Sequence, residues 1–153
     1  MTLEQQLKKR ILILDGAMGT MIQRHTLDEK AFRGDRFANF AHEVKGNNDL
    51  LSITQPKIIQ EIHEAYLEAG SDMVETNTFS STSIAMADYH MEDIVYELNY
   101  ESAKLAKAAC IKYSKLTPEK PRFVIGILGP TNRTASMSPD VNSPDFRNTS
   151  FDI

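Results

Sequence analysis

The chain has 153 residues, with 17 Lys and Arg against 21 Asp and Glu, a formal net charge of −4. Its content of 41% hydrophobic, 25% charged and 8% aromatic residues is that of an ordinary globular protein, and it excludes a collagen-like, disulfide-stapled or wholly disordered chain. The acidic balance argues against nucleic acid as a partner, because phosphate contacts need clustered Lys and Arg. No apolar run approaches the roughly 20 residues of a bilayer crossing, so no membrane partner is expected. Met1 to Arg10 is polar and charged, unlike a secretory signal. The single cysteine, Cys110, can form neither an internal disulfide nor a multi-thiolate zinc site, and a reducing, cytoplasmic setting is the expectation.

Residues 1–10 read as a lead-in, with a short polar helix from Leu3 to Arg10. Ile11-Leu12-Ile13-Leu14 is an unbroken apolar run closed by Asp15-Gly16, the pattern of a parallel strand buried on both faces. Gly16 to Arg24 looks helical, and His25 to Asn48 is an irregular excursion. Leu50 to Ile53 is a second strand candidate. Pro56 then opens a helix whose apolar residues Ile58, Ile59, Ile62, Ala65, Tyr66 and Ala69 share one face, with Gly70 as its C-terminal cap. Asp72 to Thr76 is a third strand. Glu92 to Tyr113 is a long helix, with Ile94, Leu98, Ser102, Leu105, Ala109 and Tyr113 along one stripe. Phe123 to Leu128 is a fourth strand. Gly129 to Asn148 is too long for an ordinary connection, and Thr149-Ser150 resembles the start of another helix.

The order is therefore α/β with parallel strands. Four strands fit either a small open sheet or half of an eight-stranded barrel, and a break at a helix start favours a truncated chain. The whole of 1–153 is expected to be one N-terminal portion of a domain, with strands 1 to 4 and their helices in 11–153.

In such folds, ligands bind at the strand-to-helix turns. Asp15-Gly16-Ala17-Met18-Gly19-Thr20 follows strand 1, and its small residues would let backbone amides approach an anion. The plainer reading is that Asp15 caps the helix and the glycines turn the chain. Glu75-Thr76-Asn77-Thr78 ends strand 3. A carboxylate there needs a cation, either a ligand ammonium or a local Arg or Lys. Gly129 to Thr134, including Asn132, follows strand 4 in the same way. Gly46-Asn47-Asn48-Asp49 precedes strand 2, so it is expected at the opposite rim unless the excursion folds over, and its spacing reads best as a simple turn. Sharper motifs fail. His63-Glu64 begins like a zinc-protease helix, but Leu67 stands where the second His is needed. Asp88-Tyr89-His90 begins like a cobalamin-binding motif, but Asp93 replaces its Gly. Cys110, beside Ala106, Ala109 and Tyr113, reads as a packed small hydrophobe rather than a ligand.

Taken together, ILILDGAMGTMIQ, FRGDRF, KGNNDLLSITQP, ETNTFSSTSIA and FVIGILGPTNRT resemble the homocysteine-binding module of cobalamin-dependent methionine synthases, from about Ile11 to Ile153. The betaine-dependent homocysteine methyltransferases share the Asp-Gly turn. The resemblance implies a (β/α)8 barrel of which this chain is the first half, about four βα units, and a methyl transfer from methylcobalamin to homocysteine that gives methionine. It implies Asp15, Gly16, Ala17, Glu75, Asn77 and Asn132 as groups around the amino-acid head of the substrate. Zinc and methylcobalamin are implied for the full-length protein only. The three zinc-ligand cysteines of the family lie beyond Ile153, as do the cobalamin and folate modules and the remaining barrel half. The fragment alone is then expected to be inactive, with no catalytic or metal residue of its own. Three other readings stay open: another homocysteine S-methyltransferase such as the betaine-dependent type, a small α/β anion-binding module without chemistry, and a nonfunctional fragment.

Overall fold

The computed structural model describes residues 2–150. Helix α1 (Leu3–Leu7) starts at a capping box: the Thr2 hydroxyl accepts the Gln5 N–H while the Gln5 side chain takes the Thr2 N–H. The chain then runs extended beside strand β1 (Met73–Glu75). Ile13 O accepts the amides of Asp72 and Met73, Asp15 N–H donates to Met73 O at 3.0 Å, and Leu14 forms one parallel bridge with Met73. Arg10 fixes this register through a two-pronged ion pair to the buried Asp72 carboxylate, at 2.8 and 2.7 Å.

Strand β2 (Phe123–Ile125) pairs in parallel with β1, Val74 opposite Val124. Three parallel lanes thus lie in the order Leu14, β1, β2. The apolar run at 11–14 is a lane of the sheet but not a regular strand, and it is not buried on both faces: Leu12 is packed while Ile11 is 85% and Ile13 56% exposed. It is an edge lane, and one of its faces has no layer over it among the described residues.

The second expected strand is helical. The Asn47 side chain accepts the Leu50 N–H and starts a 3-10 turn, Asn48–Leu50, that runs into helix α4 (Leu51–Thr54). Leu50 and Leu51 are fully buried there, in a cluster with Ile59, Ile62 and Leu98. A short apolar run suits a buried helix as well as a buried strand, and packing chose between them. Gln55, forced out of helical geometry by Pro56, separates α4 from α5 (Pro56–Ala69). Helix α5 ends as its sequence indicates. Gly70 takes φ 113°, its N–H reaches Leu67 O, and the Ser71 N–H reaches Tyr66 O.

The excursion at 25–48 is more built than its sequence suggests. Helix α3 (Glu29–Arg33) is capped by Asp28. The Glu29 carboxylate accepts the amides of Val44 and Lys45, and Arg33 donates to the carbonyls of Phe40 and His42. This clamp seats Phe32 and Val44 in the core. Helix α7 (Val95–Leu116) starts after a 3-10 turn at Glu92–Ile94 and buries Leu98, Ser102, Ala106, Ala109 and Cys110. Its small residues bring it close over β1 and β2, around Val74 and Leu67. Helix α2 (Met18–Gln23) packs on α5, and α6 (Ser83–Met86) buries Met86. Residues 129–150 form turns tied by Asn148 and Arg147. Thr149 and Ser150 carry no helix, and the rest of the expected helix start lies outside the described residues. Among the described residues no helix is long and apolar enough to cross a membrane.

Candidate functional site: a carboxylate-lined cleft at the strand ends

The C-terminal ends of the three lanes open into one cleft of about 500 Å³. Its walls are the Asp15–Gly19 turn, the Glu75–Ser80 segment after β1, Ile127 after β2, and Gly46–Asp49. The last segment is a correction. It was expected at the opposite rim, and it reaches this rim because residues 48–54 are helical and return the chain over the sheet. Gly46 turns the chain with φ 97°, which favours glycine there.

Asp15 is not a helix cap. The N-cap of α2 is Ala17, with no side-chain bond. Instead the Asp15 carboxylate accepts the Glu75 N–H, with both oxygens at 3.1 Å, and so continues the parallel ladder beyond the last backbone pair. Burial pushes the Asp15 carboxyl up to about 6. The nearby Glu75 charge adds to this, and the Glu75 N–H opposes it. Glu75 lines the same cleft, half-buried. Among the described residues no ion pair reaches Asp15, Glu75 or Asp49.

Asp49, which reads in the sequence as the end of a simple turn, is a wall residue of the site. It is 4% exposed. Its Oδ2 accepts the Ser80 N–H at 2.7 Å and the Ser81 hydroxyl at 2.8 Å, while burial raises its carboxyl above the usual carboxylate range. Its neighbours in sequence do not reveal this role, because its partners lie about thirty residues away. Asn77 works beside it. Its amide donates to Asn48 O and Ser52 Oγ, and its own carbonyl accepts the Ser102 hydroxyl from α7. These bonds fasten the 46–52 segment to the segment after β1 and back both with α7.

Gly16 and Ala17 line the cleft and are exposed, and Gly16 sits against the Tyr66 ring. The structure therefore brings together Asp15, Gly16, Ala17, Glu75 and Asn77. It does not bring Asn132 to them: that residue is exposed, outside the cleft lining, and its carbonyl accepts from Asn148.

The described residues do not fit a metal ion. Among the described residues no group of three His, Cys, Asp or Glu is placed to hold one. Cys110 lies on the buried face of α7, its thiol donates to Phe123 O at 3.3 Å, and burial pushes that thiol up to about 11. A group held so firmly as a thiol is a packing residue.

The family model of homocysteine S-methyltransferases matches residues 12–152. Among solved structures, the metallated form of the homocysteine methyltransferase MmuM from Escherichia coli superposes with a TM-score of 0.64 at 24% identity, covering 84% of this chain and 41% of that one. The oxidized form of the same enzyme gives 0.65 at 25% identity, covering 84% and 40%. The chain thus spans about two fifths of the length of these solved proteins. With the match extending over nearly all of its residues, the chain belongs to the homocysteine S-methyltransferase family.

Proposed function

We propose that this chain is the first part of a (β/α)8-barrel homocysteine methyltransferase and that its cleft grips the amino-acid head of homocysteine. The observation that carries this reading is the pair Asp15 and Glu75. Two carboxylates converge on one cleft, one of them desolvated, and no cation reaches either among the described residues. A substrate ammonium supplies the missing charge. The open backbone of Gly16 and Ala17 offers N–H groups to the substrate carboxylate. Asn77 holds the wall rather than the ligand, and Asn132 joins only if its loop folds inward. The same acidic lining disfavours a module for phosphate or other anions.

Methyl transfer needs the homocysteine sulfur as a thiolate. The thiolate takes the methyl group, and the donor leaves with the bonding electron pair. A free thiol has a pKa of about 8.5, so its proton must be drawn off by a metal or a base. The family resemblance puts sulfur activation, and any zinc, in the barrel portion that completes the domain, so this chain alone is expected to be inactive. The motifs KGNNDLLSITQP and ETNTFSST support the cobalamin-dependent branch, with methylcobalamin as donor and folate and cobalamin modules as partners, and the single cysteine supports a reducing, cytoplasmic setting.

Calorimetry on the natural polypeptide that bears residues 1–153 tests the grip. Homocysteine is compared with 4-mercaptobutyrate, which lacks the ammonium. E75Q should weaken homocysteine about 10- to 100-fold, as expected for a charged hydrogen bond, and leave 4-mercaptobutyrate unchanged. Equal weakening of both ligands overturns the reading. Methionine formed from methylcobalamin supports the branch, and turnover with betaine alone overturns it.

A further inference from the structure

The loop after β2 is zipped to the segment after β1 by successive hydrogen bonds. Ile127 N–H donates to Thr76 Oγ1 at 3.1 Å, Thr78 Oγ1 donates to Ile127 O at 2.8 Å, and Gly129 N–H donates to Phe79 O at 3.1 Å. At the last of these the two chains touch. A Cβ placed on Gly129 would stand 2.3 Å from the Phe79 carbonyl oxygen and 3.0 Å from both Cγ and Cδ1 of its ring. Gly129 does not have a positive φ, so turn conformation is not what requires glycine there. The approach to Phe79 is.

Phe79 lines the cleft, yet it remains 58% exposed. An aromatic ring at a cleft mouth is unfavourable in water until an apolar group covers it. Carboxylate residues Asp15, Asp49 and Glu75 and the apolar residues Phe79 and Ile127 line this one cleft. A ligand with a charged head and a short, soft apolar tail matches both. Sulfur beside a ring edge is a favourable contact in its own right.

We propose that Gly129 is a positioning residue: its missing side chain lets the loop seat Phe79 at the cleft mouth, where the ring contacts the thiol-bearing end of the substrate. The inference rests on the reading that the cleft holds homocysteine. Any side chain at 129 displaces Phe79 and loosens the grip on the tail, while the head keeps its carboxylates.

The test is calorimetry on the natural polypeptide bearing this chain, with homocysteine and with 2-aminobutyrate, which lacks only the thiol. Thermal melting monitors the fold. G129A and F79A should each weaken homocysteine by about 2- to 10-fold, the range of a lost sulfur–aromatic contact, and leave 2-aminobutyrate nearly unchanged. The double variant should be no weaker than F79A, because both changes remove one contact. F79A and F79L probe the ring without adding an atom to the loop, so the conclusion does not depend on G129A folding. Unchanged homocysteine affinity in a folded G129A or F79A overturns the inference, as does equal weakening of both ligands. If the unmutated polypeptide binds no homocysteine, the underlying reading of the cleft fails first and takes this inference with it.

Discussion

His63 on α5 is completely buried, and neither ring nitrogen has a hydrogen-bond partner. Burial alone pushes its imidazole down to about 4 from an ordinary 6.5. The unfolded chain therefore takes up a proton below pH 6.5 that the folded chain refuses until about 4. Stability is intact above 6.5 and is lost as pH falls through that window. At 1.36 kcal/mol per pH unit the full gap amounts to about 3 kcal/mol, and about 2 kcal/mol of it is lost by pH 5. His63→Leu removes both the titration and the two orphaned polar atoms. Leaving a polar group buried and unpaired costs about 1–3 kcal/mol, so His63→Leu should be more stable by roughly 1 kcal/mol at pH 7.5. That advantage should grow by about 2 kcal/mol at pH 5. Urea unfolding of both proteins at the two pH values measures this, and the difference cancels every other titrating group. An advantage that does not grow between pH 7.5 and 5 refutes the reasoning.

Three further expectations follow from the same physics. Asp15 must lose its proton before it can hold an ammonium, so homocysteine affinity should rise by about tenfold per pH unit up to about pH 6 and level off above it. D15N should bind weakly with a flat profile, and a flat profile in the unmutated protein would contradict the assignment. Arg10→Ala strips the main partner from Asp72, whose side chain is 1% exposed and whose carboxyl Arg10 holds down at about 2. Among the described residues the Ile13 N–H and Lys120, at 3.6 Å, remain. Denaturant unfolding should show a loss of about 1–3 kcal/mol. The contribution of the carboxylate is present above about pH 4 and fades as pH falls toward 2, so the loss should shrink in acid. Finally, Ile11, Ile13 and Leu128 leave apolar surface beside an open sheet edge, so residues 1–153 expressed alone should bind a hydrophobic dye and associate. A monomer that unfolds cooperatively in urea would show that reasoning to be wrong.

Much of this protein is legible without coordinates. The 3.6-residue period of α5 and its Gly70 cap, the two apolar strands around Val74 and Val124, and the small buried face of α7 are local patterns, and local patterns survive into the fold. So does the placement of Asp15 and Glu75 at strand ends, since the chain order of parallel strands puts those ends at one rim. Tertiary contact decided the rest. Leu50 to Ile53 has equal claim to strand and helix, and burial against α5 and α7 selects the helix. That choice swings Gly46–Asp49 into the cleft and makes Asp49 a wall residue bound to Ser80 and Ser81. His63 and Gly129 carry no sequence signal for their roles. One is set by what packs around a helix, the other by how closely two distant loops meet, and neither separation can be read along the chain.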